Sequence, residues 1–239
     1  MKYYFFAPLF LQKFIWIPTR LLISFFGRLK IIGLENLADV NRNAIFAANH
    51  AGEIDPFLVP CSLPFFSHFS PLFYATREKS FYDTNGWRKH LFGGLFINAW
   101  GGYDVKVGLS NYDKSLAKHV RISKDGGSFC IFPEGGITPD GNIRQGKGGI
   151  AYLAAISGMP IIPVAFSGTY KISIRDFFLC KRRIVVRFGK PIYQEEFKTE
   201  VLNRESLGLH VYKEEANYVM KKISELMTTH DAIIKSPNI

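Results

Sequence analysis

The sequence predicts an α/β fold, a single domain in which a mixed, mostly parallel β-sheet is flanked by helices. Beyond residue 35, short apolar segments of strand length alternate with amphipathic segments of helix length, and no repeat or linker interrupts them. The chain has 239 residues, of which 47% are hydrophobic and 21% charged, which is enough for one large core. This composition excludes the disordered and fibrous classes of protein.

The N-terminal residues 1–30 are predicted to lie at a membrane surface. They contain six of the 22 Phe residues, five basic residues and no acid, so cations can meet anionic lipid phosphates. Lys13 and Arg20 interrupt the apolar run, which disfavours a helix that spans the bilayer. Pro8 and Pro18 interrupt helical continuity, so we expect a two-helix element whose short interfacial helices meet near Pro18. The alternative is a helix that packs on the body of the domain.

These features divide the chain into a helical membrane-interface anchor, residues 1–30, and an α/β domain, residues 31–239. No small-residue cleavage site follows a single short apolar segment, so a removable signal peptide fits poorly. The three cysteines are too few and too far apart for a disulfide framework or a Cys-x-x-Cys site, which favours a reducing compartment. We expect a peripheral or monotopic protein on the cytoplasmic face of a membrane.

In the body of the domain, predicted strands and helices alternate. Strands are expected at residues 44–48, 72–76, 95–98, 128–132, 161–166 and 184–188. Helices are expected at residues 109–123, 149–157 and 211–227. Glycines follow the first two of these helices, and glycine is the residue that most often ends a helix. Polar residues follow several strands, and the carboxyl ends of strands are where open α/β sheets bind ligands.

The first motif follows the strand at 44–48 and contains Asn49, His50 and Asp55. A neutral imidazole accepts a proton from a hydroxyl near neutral pH, and a carboxylate on its other nitrogen fixes the tautomer. The five-residue spacing therefore predicts a dyad that activates a hydroxyl. The alternative is that Asp55 caps a helix beside an unrelated surface histidine. The sequence has no Gly-x-Ser-x-Gly elbow, which argues against a serine hydrolase.

The second motif, Phe-Pro-Glu-Gly-Gly-Ile-Thr at residues 132–138, follows the strand at 128–132. Here a strand delivers one carboxylate, Glu134, to a turn made by Gly135 and Gly136. The backbone N–H groups of such a turn can bind an anion. The alternative is an ordinary turn at the end of a strand.

In this order, the two motifs resemble those of the glycerolipid acyltransferase family, which includes 1-acylglycerol-3-phosphate acyltransferases. The Pro-Ile-Ile-Pro-Val run at 160–164 and Gly-Lys-Pro-Ile at 189–192 extend the resemblance over residues 31–192. The resemblance implies that His50 is the general base, which deprotonates an acceptor hydroxyl as it attacks the thioester of acyl-CoA or an acyl carrier protein. It implies that Asp55 orients His50. The residues implied in the acceptor site are Asn49, Glu134, Gly135 and Gly136.

The sequence departs from the family at two positions that commonly carry arginine. Many members follow Phe-Pro-Glu-Gly with Thr-Arg, and that arginine is thought to hold the acceptor phosphate, whereas this chain has Gly136 and Ile137. A second arginine of the family is replaced after residues 94–98 by Ala99 and Trp100. The predicted substitutes are Arg77, Lys106, Arg144 and Lys147, with Arg77 first because it follows a strand at the position where the family commonly has a substrate-contacting basic residue. The alternative for Arg77 is a solvated side chain paired with an acid.

The formal net charge of +10 is concentrated in two places, residues 1–34 and residues 175–190, and the rest of the chain is balanced. In the second segment, Arg183, Val185 and Arg187 share one face of a predicted strand. This basic patch could meet coenzyme phosphates, the acidic helix of a carrier protein or a membrane, and the alternative is a solvated edge strand. Nucleic acid is not expected, because no recognition motif is present.

Taken together, the sequence predicts a membrane-associated O-acyltransferase with a lysophospholipid-like acceptor. The expected partners are anionic lipids, this acceptor and acyl-CoA or acyl carrier protein. No bound cofactor and no metal are expected, since the histidines outside the first motif are scattered. The alternatives are a non-catalytic lipid-binding protein of the same fold and a thioester hydrolase that uses the same dyad on water.

Overall fold

Seven strands form one sheet in the computed structural model, which describes residues 2–77, 95–106, 111–197 and 209–234. The strands are β1 (Lys30–Ile32), β2 (Ile45–Ala48), β3 (Leu72–Thr76), β4 (Gly102–Asp104), β5 (Ser128–Ile131), β6 (Ile161–Ser167) and β7 (Val185–Phe188). Their order across the sheet is β1-β7-β6-β2-β5-β3-β4. Strands β2 to β6 run in one direction, while β7 is antiparallel to β6 and β1 is parallel to β7. The predicted mixed, mostly parallel sheet is confirmed.

Helices cover both faces of this sheet. They are α1 (Tyr3–Phe25), α2 (Asp55–Ser62), α3 (Leu95–Trp100), α4 (Tyr112–Ser115), α5 (Ala117–Lys124), α6 (Gly149–Ser157), α7 (Ile174–Phe178) and α8 (Leu209–Ile234), with 3₁₀ segments at Leu34–Leu37 and Gln194–Glu196. Helices α6 and α8 pack on one face, and α1, α2 and α3 pack on the other. The helix predicted at 149–157 has these bounds, and Gly158 ends it in the left-handed conformation.

The central strands are buried on both sides, which explains why they appear in the sequence as continuous apolar runs. In β2, Ile45 and Ala47 belong to the core beneath α6 and α8. Phe46 and Ala48 belong to the opposite core, beneath α1 and α2. All four side chains are fully buried, as expected for a parallel strand covered by helices on both faces.

Two predicted elements differ from the structure. The strand expected at 95–98 is wrong, because these residues begin helix α3 and the strand β4 comes after it. A short apolar run does not distinguish a buried helix from a strand by its pattern. The helix expected at 109–123 is two helices, α4 and α5, which meet at Leu116 in a non-helical conformation. Leu109, where that helix was expected to begin, lies outside the described residues.

The interpretation of the basic patch at 175–190 as an edge strand is also wrong. Strand β7 lies between β1 and β6, and β1 forms the edge. Arg187 is only 6% exposed and donates a hydrogen bond to the Ser167 hydroxyl at 3.0 Å. Arg183 and Lys190, at the two ends of the strand, are exposed. The three-residue edge strands β1 and β4 were not predicted, because so few residues carry no periodic signal.

The N-terminal segment forms one continuous helix of 23 residues, so the predicted pair of short helices is wrong. Pro8 and Pro18 both lie inside it. A proline in a helix interior costs about 3 kcal/mol, because it removes one backbone hydrogen bond and crowds the preceding turn. Packing offsets this cost, since Pro8 is buried and lies close to Gly101, where an added Cβ would be 3.4 Å from the Pro8 Cβ.

The inner face of α1 is fixed to the domain by a buried glutamine. The Gln12 amide donates to the carbonyls of Leu72 and Trp100, both at 2.8 Å, and accepts from the Leu72 N–H at 2.9 Å. Arg20 adds a hydrogen bond to the Cys61 carbonyl at 2.7 Å, and Lys2 pairs with Asp125 at 2.6 Å. On its inner face, α1 therefore packs on the body of the domain, as in the alternative that the sequence left open.

The outer face of α1 is apolar and exposed. Phe10 and Phe14 are 73% and 70% exposed, and their rings stack at 6.0 Å. The other large exposed side chains of this face, which recur every three or four residues, are Tyr3, Phe6, Ile17, Leu21 and Phe25. We call these seven residues the α1 stripe. Such spacing aligns side chains along one side of a helix.

A buried histidine makes stability depend on pH. His119 in α5 is fully buried, with Nε2 3.4 Å from the Tyr74 carbonyl oxygen. Desolvation lowers the pKa of His119 from its ordinary value of 6.5 to about 4. Between these two values the unfolded chain binds the proton and the folded chain does not, so stability falls as the pH drops through this window.

We expect the free energy of unfolding to fall by about 3 kcal/mol from this group between about pH 7 and pH 4. In His119→Gln, the free energy of unfolding measured with urea should fall by about 3 kcal/mol less than in the wild type over this pH range. His210→Gln, which removes an exposed histidine from α8, is the matched control and should follow the wild type. Equal pH dependence in His119→Gln and the wild type would contradict the assignment.

Candidate active site

The candidate site lies where three neighbouring strands end. Strands β2, β5 and β3 are adjacent and parallel, so their carboxyl ends meet at one edge of the sheet. His50 follows β2, Glu134 follows β5 and Arg77 follows β3. Residues from three distant parts of the sequence are thereby brought together.

His50 and Asp55 are in contact, as their spacing predicts. His50 Nδ1 lies 2.9 Å from Asp55 Oδ2. The same carboxylate oxygen accepts from the backbone N–H groups of Ala51 at 2.7 Å and Gly52 at 2.8 Å. Asp55 is fully buried, so these three donors stabilise a charge that has lost its water. Asp55 is also the first residue of α2, but its side chain makes no capping hydrogen bond to that helix, so the alternative of a helix cap beside an unrelated histidine is wrong.

The imidazole of His50 is held so that one nitrogen stays open. Because a carboxylate only accepts hydrogen bonds, the Nδ1–H donates to Asp55 and the lone pair lies on Nε2. The ring stacks on Phe132 with centroids 4.1 Å apart and planes 20° apart, and 16% of the side chain is exposed. No described residue makes a hydrogen bond to Nε2. This arrangement can accept a proton from a hydroxyl at Nε2.

Phe132 is a site residue that the sequence reasoning missed. Its position offered a signal, since it is the first residue of the second motif and directly follows β5. Aromatic stacking restricts rotation of the histidine ring, so Phe132 positions His50 together with Asp55.

The loop after β6 also closes on the first motif. A Cβ added to Gly52 would lie 2.6 Å from the Thr169 carbonyl oxygen, so only glycine fits there. This close approach places Thr169, in the loop that follows β6, beside the His50 turn.

Glu134 joins the two motifs. Its carboxylate is buried, with Oε1 accepting from the His50 N–H at 3.0 Å. Oε2 accepts from the Arg144 N–H at 3.2 Å and from Arg144 Nε at 3.4 Å. The Thr138 N–H adds a second link by donating to the His50 carbonyl at 2.8 Å. Glu134 thus links the His50 turn to Arg144 by hydrogen bonds. Its predicted contact with an acceptor stays a prediction.

Three of the four predicted cations surround the turn at Gly135 and Gly136. Arg77 donates to the Gly135 carbonyl through Nε at 3.0 Å and Nη2 at 2.8 Å. Arg144 Nη2 donates to the Gly136 carbonyl at 2.5 Å. Lys147 covers Gly135, since a Cβ there would lie 2.6 Å from its Nζ. We call these three side chains the cation cluster.

Lys147 is the member of the cation cluster whose charge is open to a ligand. It is exposed, and no described residue pairs with its ammonium group. Arg144, by contrast, is already tied to Glu134. The fourth predicted cation, Lys106, is exposed after β4, and no contact among the described residues places it with this turn.

Asn49 takes a structural position. Its side-chain N–H donates to the Phe166 carbonyl at 3.1 Å, and its Oδ1 accepts from the Phe166 N–H at 2.7 Å. The side chain is buried, and these bonds join the ends of β2 and β6. Asn49 therefore holds the first motif in place, and its predicted contact with substrate stays a prediction.

The two buried cysteines are not poised as nucleophiles. Burial raises the pKa of Cys61 to about 12, and burial together with the negative charge of Asp55 raises the pKa of Cys130 well above its usual range. Both thiols therefore remain protonated near neutral pH. Within the described part of the chain, no group of three or more His, Cys, Asp or Glu side chains could hold a metal ion.

Comparison with known proteins identifies relatives that share most of this chain. The 1-acyl-sn-glycerol-3-phosphate acyltransferase of Limnanthes douglasii is 28% identical over 180 residues, which is 73% of this chain and 58% of that protein. The chloroplastic 1-acyl-sn-glycerol-3-phosphate acyltransferase LPAT1 of Arabidopsis thaliana is 25% identical over 183 residues, which is 76% of this chain and 48% of that protein. The chain thus spans about half the length of these curated relatives.

A solved structure shares the fold. The crystal structure of the 1-acyl-sn-glycerophosphate acyltransferase PlsC from Thermotoga maritima superposes with a TM-score of 0.60 at 20% identity. The match covers 92% of this chain and 80% of that chain. At this identity the likeness establishes the fold.

The family model described as Acyltransferase matches residues 28–167. That range is more than half of the chain and contains both motifs, with the dyad, Glu134 and the cation cluster inside it. This protein therefore belongs to the acyltransferase family.

Proposed function

We propose that this protein is an O-acyltransferase that moves a fatty acyl group from a thioester to the hydroxyl of a lysophospholipid-like acceptor. The observation that carries the proposal is the His50–Asp55 pair, joined at 2.9 Å, with His50 Nε2 open at the edge of the sheet. Membership of the acyltransferase family supports the reaction class.

In the proposed mechanism, His50 acts as the general base. Nε2 takes the proton of the acceptor hydroxyl while the hydroxyl oxygen forms a bond to the thioester carbonyl carbon. The carbon–sulfur bond then breaks, and Nε2 gives its proton to the departing sulfur, so that a free thiol leaves and His50 is neutral again. Asp55 stabilises the imidazolium between these steps, because its carboxylate faces Nδ1. The products are an ester and a free thiol, and no protein nucleophile is needed.

We propose 1-acylglycerol-3-phosphate, or a lysolipid with a similar anionic head group, as the acceptor. The relatives carry this compound in their names. The cation cluster supports an anionic acceptor, because it supplies positive charge where the family motif would have its arginine. Arg77 and Arg144 bind the carbonyls of the glycine turn, so they shape it, while Lys147 is free to pair with a phosphate.

The donor in this proposal is a fatty acyl thioester of coenzyme A or of acyl carrier protein, and no other cofactor takes part. Both donors present the same thioester to His50. They differ in what the protein must bind beyond it, which a comparison of the two donors in one assay resolves.

We propose further that α1 lies in the interface of an anionic membrane on its cytoplasmic side. Helix α1 is long and apolar enough to cross a bilayer by length and composition. Its inner face, however, is fixed to the domain by hydrogen bonds from Gln12 and Arg20. A helix that crossed the hydrocarbon would have to give up these hydrogen bonds. An interfacial position buries the α1 stripe in lipid and leaves these contacts intact.

Substitution of the dyad tests the mechanism. In His50→Gln, acyl transfer from a labelled thioester should fall by roughly 10²–10⁴-fold, because general base catalysis is lost. Asp55→Asn should also lower the rate, since the amide no longer stabilises the imidazolium. Glu53→Gln changes an exposed residue of the same turn and serves as the control with near wild-type rate. Unchanged turnover in His50→Gln would remove His50 as the base.

Substitution of Lys147 tests the acceptor. In Lys147→Gln, the KM for 1-acylglycerol-3-phosphate should rise by about tenfold with little change in kcat, because a charge-assisted contact is lost. A neutral monoacylglycerol acceptor should show no such change. Lys124→Gln, at the opposite edge of the sheet, is the control. Equal effects on the anionic and neutral acceptors would argue against a phosphate contact.

Substitution of the α1 stripe tests the membrane proposal. The double variant Phe10→Glu/Phe14→Glu should sediment with phosphatidylglycerol vesicles at least about tenfold less well, since each exposed Phe loses its burial in lipid. Leu209→Glu changes an exposed apolar residue of α8, on the other face of the sheet, and should bind as the wild type. Retained vesicle binding in the double variant would refute the interfacial position of α1.

A further inference from the structure

A second exposed apolar surface lies at α7. Ile174 is 80% exposed, Phe178 is 52% exposed and Leu179 is 54% exposed. No residue of α7 is buried, so packing in a core does not explain why these side chains are apolar. We call residues 174–183 the α7 patch. Exposed large apolar side chains clustered in this way mark an interaction surface.

The α7 patch is continuous with the α1 stripe. The Phe26 ring lies 4.9 Å from Phe178 and 4.9 Å from Phe25, which is 70% exposed. The backbone also joins the two elements, since the Ile184 N–H donates to the Gly27 carbonyl at 2.7 Å. One apolar surface therefore runs from the outer face of α1 across these aromatic rings onto α7.

The charges around this surface are complementary to an anionic membrane. Arg175 and Arg183 are exposed, and Arg28 lies exposed just beyond α1. The only acid of the α7 patch, Asp176, is neutralised by Lys181 at 3.1 Å. An apolar centre with a positively charged rim matches the acyl boundary and the phosphates of a lipid leaflet.

The position of α7 also relates this surface to the candidate active site. Residues 168–173 connect β6 to α7, and in this loop Thr169 closes on Gly52 beside the dyad. The α7 patch therefore lies at the same edge of the sheet as His50. Contact of this edge with a membrane would bring lipid head groups toward the cation cluster.

We propose that the α7 patch is a second membrane-docking element that acts together with α1. Ile174, Phe178 and Leu179 enter the acyl boundary, and Arg175 and Arg183 meet lipid phosphates. Two contacts at different places constrain the orientation of the domain more than α1 does by itself, and they turn the active-site edge toward the leaflet. This inference rests on the membrane docking of α1 proposed above.

The test uses the full chain and vesicles of phosphatidylcholine with and without phosphatidylglycerol. We expect Ile174→Glu/Leu179→Glu to lower the partition coefficient by about tenfold or more, since two exposed side chains lose their lipid contact. Leu209→Glu is again the matched control and should bind as the wild type. Because α7 has no buried residue, the far-ultraviolet circular dichroism of the variant should equal that of the wild type.

A second variant separates the electrostatic contribution. Arg175→Gln/Arg183→Gln should weaken binding only to vesicles that contain phosphatidylglycerol, and added salt should remove the difference from the wild type. Equal loss on both kinds of vesicle would overturn the assignment of these arginines.

The outcomes distinguish α7 from α1. If Ile174→Glu/Leu179→Glu binds vesicles as the wild type while Phe10→Glu/Phe14→Glu does not, the α7 proposal falls and the α1 proposal stands. If both double variants bind as the wild type, both proposals fall. If the α7 variant changes only the oligomeric state in sedimentation velocity, the patch is an interface between copies of the chain and the membrane assignment is overturned.

Discussion

At Asp55, one carboxylate oxygen accepts hydrogen bonds from the His50 ring and from the backbone of Ala51 and Gly52. A buried carboxylate without such donors would cost several kcal/mol, so the turn and the charge stabilise each other. This one group sets the histidine tautomer, closes the turn after β2 and starts α2. Glu134 then ties the same turn to the second motif through the His50 N–H. The rest of the site is built around these two buried acids.

Much of the fold could be predicted from the sequence, because strands buried on both faces appear as apolar runs and glycines end helices. The errors have physical reasons. The six residues of α3 are too few to reveal helical periodicity. Helix α1 continues past both prolines while Gln12 bonds to residues distant in the sequence, and such contacts cannot be read from the local sequence. In the site, the spacing of His50 and Asp55 was sufficient to predict their contact. The bond between Arg144 and Glu134 and the stacking of Phe132 depend on strand order, which local sequence does not contain.

The structure shows where some of the excess positive charge of the chain lies. The chain lacks arginine at two family positions, yet Arg77 from the end of β3 and Arg144 and Lys147 from the loop between β5 and α6 converge on the glycine turn. Three further cations, Arg28, Arg175 and Arg183, are exposed beside the apolar surface formed by α1 and α7. In the proposed function these charges serve two places, an anionic acceptor and a lipid leaflet.

The most direct measurement is product analysis by mass spectrometry after incubation with an acyl-CoA or an acyl-carrier-protein thioester. Each donor is supplied with 1-acylglycerol-3-phosphate, with other lysolipids or with no acceptor. An acyltransferase forms the diacyl ester and the free thiol in equal amounts, and it does so only with an acceptor. Release of free fatty acid without acceptor would identify a hydrolase. No consumption of either thioester with any acceptor would contradict the catalytic account.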